Sequence, residues 1–214
     1  MTNSILDQLA SSRGHRDEKP NIELAAKIAR SGNQEQVTEL ISFLGEKKSA
    51  VRYDALKVLY EIGERKPEMI AGHLKVFLRT LRHKDNRMQW GAMSALSSLS
   101  RTNPQLLAPY LVDIVKAMDD GSVITRDHGI YILCHVASLK KYRHDCMELL
   151  FEQIEKAPVN QLPMYAEKTA EIISAPFAKR LLGILNSRKD VLEIPSKAKR
   201  IEKLARQLKE VIKD

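Results

Sequence analysis

The chain has 214 residues, 43% hydrophobic but only 5% aromatic, and 35 Lys and Arg against 27 Asp and Glu give it a net charge of +8. That length bounds it at one or two domains and suffices for a core held by neither disulfide nor metal. Nine Gly and eight Pro are too few for many short strands and tight turns, and collagen, low-complexity disorder and disulfide scaffolds are excluded, so the expectation is all-α.

The opening residues lack a basic n-region and a long apolar h-region, so nothing marks them as a secretory signal. Ile5, Leu6 and Leu9 predict a short first helix. A helical pair follows over 22–30 and 34–45, split by Ser31-Gly32-Asn33. Within the second member Val37, Leu40, Ile41 and Leu44 follow i, i+3, i+4, i+7, one apolar stripe of a helix. The same stripe recurs in Leu74, Phe77, Leu78 and Leu81, then in Leu111, Ile114, Val115 and Met118, then in Met147, Leu150, Phe151 and Ile154. Successive offsets are 37, 37 and 36 residues.

A second correspondence lies between the stripes. Val51, Ala55, Val58, Leu59 and Ile62 map by 37 onto Met88, Ala92, Ala95, Leu96 and Leu99, and again onto Thr125, Gly129, Ile132, Leu133 and Val136. Small residues hold at 55, 92 and 129, which predicts close helix approach. Pro67 and Pro104, also 37 apart, stand where one helix stops and another begins, with Asn103 placed to cap the helix that Pro104 opens. The unit is therefore helix A, short turn, helix B, and neither helix can bury its stripe without a neighbouring unit. Full repeats are predicted over 48–84, 85–121 and 122–157, a further pair over 160–174 and 176–185, and a last helix over 196–213 bearing Ile201, Leu204, Ala205, Leu208 and Ile212 on one face. The domain expectation is an N-terminal arm or short capping helix over 1–20, a solenoid over 21–190 and a basic C-terminal capping helix over 191–214.

Val51-Arg52, Ala55 and Leu59, then Asp85, Met88-Gln89, Ala92, Ala95 and Leu96, and more faintly Asp120, Thr125-Arg126, Gly129 and Leu133, resemble the HEAT repeat of the armadillo-like superfamily. The resemblance covers about residues 20 to 190. It implies a right-handed α-α superhelix of about five helical hairpins, an α-solenoid, and is nearly silent on function because the scaffold serves many tasks. In HEAT repeats the Arg matching Arg52, Gln89 and Arg126 usually belongs to a structural ladder with Asp in the preceding turn, and Asp85 and Asp120 are placed for that. The alternative use of this column is the rim of a groove that meets an anionic partner.

Chemistry-bearing motifs are sparse. There is no Gly-rich phosphate loop, HExxH, CxxC or GxSxG, and no cofactor or metal site is expected. His144, Asp145 and Cys146 are adjacent, but consecutive residues on a helix point about 100° apart and cannot converge. His128 and His135 share a helical face about 10.5 Å apart along the axis, too far to hold one metal ion. Iron-binding HEAT-like enzymes use paired His-Glu motifs, and this chain has no His-Glu dipeptide. Cys134 and Cys146 read as free thiols. Apolar runs such as 130–134 are far short of the about 20 residues that cross a bilayer, and the default location is cytoplasmic.

The charge is uneven. Residues 72–90 and 187–214 each carry a net +4, together the whole excess. Lys75, Arg79 and Arg82 follow i, i+4, i+7 and share the face of a B helix opposite its leucines. B helices usually line the concave side of such solenoids. The neighbouring B helices carry Asp113, Asp119 and Asp120, then Glu148, Glu152 and Glu155, so the basic feature is a patch. The expected function is a non-enzymatic scaffold or adaptor that binds a protein partner with an acidic segment through Lys75, Arg79 and Arg82, and also Arg52 and Arg126. The second reading is nucleic-acid binding. It extends to the HEAT-like alkylpurine DNA glycosylases, whose catalytic Asp is flanked by Trp and Arg. Here Asp127 has Arg126 and Tyr131 beside it, and Trp90 is the equivalent residue one repeat earlier.

Overall fold

A computed structural model describes residues 4–14 and 17–213, with Lys189 and Leu192 described in their backbone alone. Residues 1–3 and 15–16 of the expected arm, and residue 214 of the expected cap, lie outside these. Among the described residues every regular element is helical. The chain forms two compact units, Met1–Gly129 and Ile130–Asp214.

The first unit contains α1 (Ile5–Gln8), α2 (Lys19–Ser31), α3 (Gln34–Phe43), α4 (Ser49–Arg65), α5 (Glu68–Ala71), α6 (Leu74–Thr80), α7 (Asn86–Thr102), α8 (Pro104–Leu107), a 3-10 segment Ala108–Tyr110, α9 (Leu111–Asp120) and the first part of α10 (Val123–Val136). Helix α4 packs between α2 and α7, while α6 packs on α7. The predicted stripes supply this core: Val58, Leu59 and Ile62 of α4, Leu96 and Leu99 of α7, Phe77 of α6 and Ile114 of α9 are fully buried. The small-residue column does what its spacing requires. A Cβ on Gly129 would lie 2.3 Å from Met118 Cγ and 2.4 Å from its Sδ, so the Met118 side chain of α9 fills the space that a larger residue on α10 would need. Ala55 and Ala92 are likewise fully buried.

The predicted short turn between helices A and B is itself helical. Pro67 stands at the N-cap of α5, and Pro104 opens α8, where a residue without an N–H costs nothing. Met69 and Ile70 of α5 and Leu107 of α8 are buried, so each segment contributes to the core instead of merely reversing the chain. Asn103 occupies the N-cap position of α8 without a side-chain cap bond; its amide donates to Thr102 Oγ1 at 2.9 Å.

The N-terminal segment is held by a buried polar contact. Asn21 donates to Asp54 Oδ1 at 2.7 Å and accepts from the backbone N–H of Ala10 at 3.0 Å, while the backbone N–H of Ser11 donates to Asp54 Oδ2 at 2.7 Å. The carboxylate and amide are thereby satisfied away from water, as buried polar groups must be. Ile5 and Leu9 bury beside them.

The second unit contains the rest of α10, α11 (Arg143–Glu155), α12 (Leu162–Ala170), α13 (Ala175–Ser187), a 3-10 segment Lys189–Glu193 and α14 (Pro195–Lys213). Helix α11 packs on α12 and α13, and α14 packs on α12 and α13. The fourth stripe, Met147, Leu150, Phe151 and Ile154, is fully buried, and α14 buries Ile201, Leu204 and Leu208 of its predicted face. Arg188 donates to the carbonyls of Ile154, Glu155 and Ala157 at 2.8 to 3.1 Å, which satisfies the otherwise orphaned end of α11.

Candidate functional site

The predicted contact residues separate into two groups. Arg52 Nη1 donates to the carbonyls of Glu46 and Lys47 at 2.7 and 3.0 Å, Gln89 Nε2 to Leu81 O at 3.1 Å, and Arg126 Nε to Met118 O at 3.0 Å. Gln89 and Arg126 thus cap the carbonyl ends of α6 and α9, where orphan acceptors and the negative end of the helix dipole favour a donor, whereas Arg52 braces the loop between α3 and α4. The column is a structural ladder with backbone carbonyls as its acceptors. Asp85 is engaged elsewhere: its Oδ1 accepts from the Arg87 backbone N–H at 2.8 Å, and its Oδ2 accepts from the Tyr53 hydroxyl. The phenol's hydrogen bond holds the Asp85 carboxyl below its ordinary range and raises the Tyr53 hydroxyl above its own.

Lys75, Arg79 and Arg82 stand exposed along α6 and its C-terminal end. Among the described residues neither Lys75 nor Arg79 has a carboxylate partner. Arg82 does: its Nη2 lies 2.8 Å from Asp113 Oδ1 of α9. Both groups are well exposed, so this pair is worth about 0 to 1 kcal/mol and yields readily to a competing anion. The pair spans a groove of about 520 Å³ whose floor is Leu78, Leu81 and Ala117 and whose rim includes His83, Lys116 and Asp120. The Asp85 backbone N–H donates to His83 Nδ1 at 2.9 Å, so this imidazole points its second nitrogen outward as a donor. Val112, 84% exposed, adds an unburied apolar side chain to the same helix. In space the positive patch is tempered by Asp113, which the sequence pattern had assigned to a separate acidic helix.

A second cluster escaped the sequence reading. On α4, Tyr53, Lys57, Tyr60 and Glu61 fall on the face opposite the repeated apolar stripe, with Tyr60 itself buried, and Arg87 and Trp90 hold the same relation on α7. Glu18 brings these together. Its carboxylate lies 3.1 Å from Lys57 Nζ and 2.6 Å from Arg87 Nη2. Lys57 also meets Glu61 Oε1 at 3.0 Å and sits 4.7 Å from the Tyr60 ring centroid, Arg87 lies 4.8 Å from the Tyr53 ring, and Tyr60 and Trp90 are tilted at 5.8 Å. Burial works against the Lys57 charge, but Tyr60, Glu61 and Glu18 outweigh it and hold the ammonium above its ordinary range. The available signal was a polar stripe at i, i+4, i+7, i+8 containing two tyrosines on a helix whose other face is core.

The residues weighed for chemistry are dispersed. Cys146 is fully buried, His144 packs near Phe177 with ring centroids 6.1 Å apart, and Asp145 is exposed. Cys134 and Cys146 are both free and buried, and burial pushes each thiol up to about 12. Trp90 packs against Tyr60, and burial holds His128, beside Asp127, below the usual histidine range. Among the described residues no helix is long and apolar enough to cross a membrane.

No family model and no curated protein matches the chain. Its fold does match solved structures. A designed armadillo repeat protein in complex with the peptide (KR)4 aligns with a TM-score of 0.62 and 19% identity over 94% of this chain and 98% of that one. An engineered protein aligns at 0.60 and 18% over 96% of both chains. The archaeal HEAT-like repeats protein from Thermococcus onnurineus NA1 aligns at 0.50 and 14% over 92% and 98%. The chain has the HEAT and armadillo type of helical-repeat fold, an α-solenoid.

Proposed function

We propose that this protein is a non-enzymatic scaffold that binds an acidic segment of a protein partner across the face formed by α6 and α9. The observation that carries this reading is the exposed pair Lys75 and Arg79, without carboxylate partners among the described residues, beside a groove with an apolar floor and a weak Arg82–Asp113 pair at its rim. A partner carboxylate gains two unneutralised cations and competes for Arg82, while an apolar side chain next to it can meet the exposed Val112 of α9. Charge sets specificity and encounter rate here.

The repeat fold is one on which proteins commonly bind other chains, and the designed armadillo neighbour holds a peptide of alternating Lys and Arg. The α6 face is itself cationic, like that peptide, and so suits a peptide of the opposite charge. Arg126, turned to the Met118 carbonyl, serves this face by fixing the end of α9, and Arg52 is turned to loop carbonyls away from it. The arm or capping role expected of residues 1–20 and the capping role expected of residues 191–214 accompany this proposal.

The test is a titration with an acidic peptide of mixed Glu and Leu composition. Wild type is expected to bind it, and Arg79→Glu to weaken binding at least tenfold with an unchanged far-ultraviolet circular dichroism spectrum. Equal affinity of the two proteins would remove α6 from the contact surface.

A further inference from the structure

We propose that Lys57 and Arg87 form a second carboxylate-binding site, for an acidic peptide, which the Glu18 side chain fills in the free protein. The site is built from two different helices. Lys57 of α4 is nearly covered, its side chain only 11% exposed, and its ammonium is aimed between Glu61, the Tyr60 ring and the position taken by Glu18. Arg87 of α7 lies over the Tyr53 ring and directs Nη2 to the other oxygen of the same carboxylate. Two cations, each backed by an aromatic face, therefore converge on one two-oxygen anion, the arrangement by which proteins recognise a carboxylate.

The present occupant is not part of either helix. Glu18 is the N-cap residue of α2 and makes no capping bond with its side chain. Glu18 and Arg87 are each about two-fifths exposed at their side chains, so the carboxylate can leave by side-chain rotation without disturbing the core. Once it leaves, Lys57 retains Glu61 and Arg87 retains its ring, and one anion position stands empty between them. The Asn21–Asp54 contact holds the backbone of the N-terminal segment in place meanwhile. Glu18 therefore acts as a tethered competitor, and an incoming acidic peptide gains affinity in proportion to how weakly Glu18 holds. This surface is separate from the α6 face, and its success or failure does not depend on that one.

Trp90, the only tryptophan in the chain, packs on Tyr60 beside Lys57 and reports on occupancy directly. The experiment titrates the full chain with unlabelled hexaglutamate and follows Trp90 emission. Glu18→Gln is expected to bind at least fivefold tighter than wild type, with a change in Trp90 emission at saturation. Adding Arg87→Met or Lys57→Met should abolish the gain, while adding Arg79→Glu should leave it intact. Glu18→Asp, one methylene too short to span both cations, should move affinity in the same direction, so a folding defect in one variant does not decide the outcome. No gain in either Glu18 variant would overturn the proposal, as would a gain that survives Arg87→Met or that disappears with Arg79→Glu while Trp90 stays silent.

Discussion

At the scale of single residues, the chemistry is set by what each side chain is given as a partner. Arg126 and Arg82 have the same functional group, yet one closes on the Met118 carbonyl and the other meets an exposed aspartate across a groove. Only the second leaves a surface for another molecule. The cysteines illustrate the opposite extreme. A thiol must be both accessible and ionised to react, and Cys134 and Cys146 are buried with ionisation pushed up to about 12. At pH 8 the native protein is therefore expected to leave both unmodified by an aromatic disulfide reagent over an hour, and to release two equivalents of chromophore in denaturant. Rapid modification of either thiol in the folded state would show that these helices open far more readily than their packing implies.

At the scale of the helical element, stability rests on close approach and on capped ends. Gly129 lies where α10 meets α9, and a methyl group there drives into the Met118 side chain at its Cγ and not merely at its tip. Gly129→Ala is expected to cost about 1 to 3 kcal/mol through overpacking, despite alanine's better helix propensity. Denaturant unfolding measures it, and a stabilised variant would mean that Met118 repacks freely. Much of this element-scale structure was legible in the sequence, because a core stripe repeats on its own helix and needs no knowledge of its partner. Leu59, Leu96 and Leu133, one repeat apart in turn, are all fully buried. The helical segments α5 and α8 were not legible as helices: they are one turn long, too short for periodicity to register, and only their prolines marked them. The surface clusters were still less legible. Arg82 finds Asp113 31 residues away and Arg87 finds Glu18 69 residues away, so local charge counts overstated the basic patch and missed the Glu18 site altogether.

At the scale of the molecule, the basic composition divides into ions with different duties. Arg188 and Arg200 of the C-terminal region are engaged, the first with backbone carbonyls and Asp190, the second with Glu167. Arg52 braces the loop after α3 and Arg126 the end of α9. Exposed cations remain on α14 as well, at Lys199, Lys203, Arg206 and Lys209, but those of α6 stand beside a groove with an apolar floor. A short patch suits an acidic peptide, whereas duplex nucleic acid demands phosphate contacts spread along a groove and releases counterions with each. The most direct measurement is accordingly a side-by-side titration of the full chain, at about 50 and 200 mM salt, with an acidic Glu–Leu peptide and with a duplex oligonucleotide. The peptide is expected to bind at both salt concentrations, with loss on Arg79→Glu, and the duplex is not retained. Duplex binding that falls steeply with salt and vanishes in Arg79→Glu, with no peptide binding, would contradict this expectation.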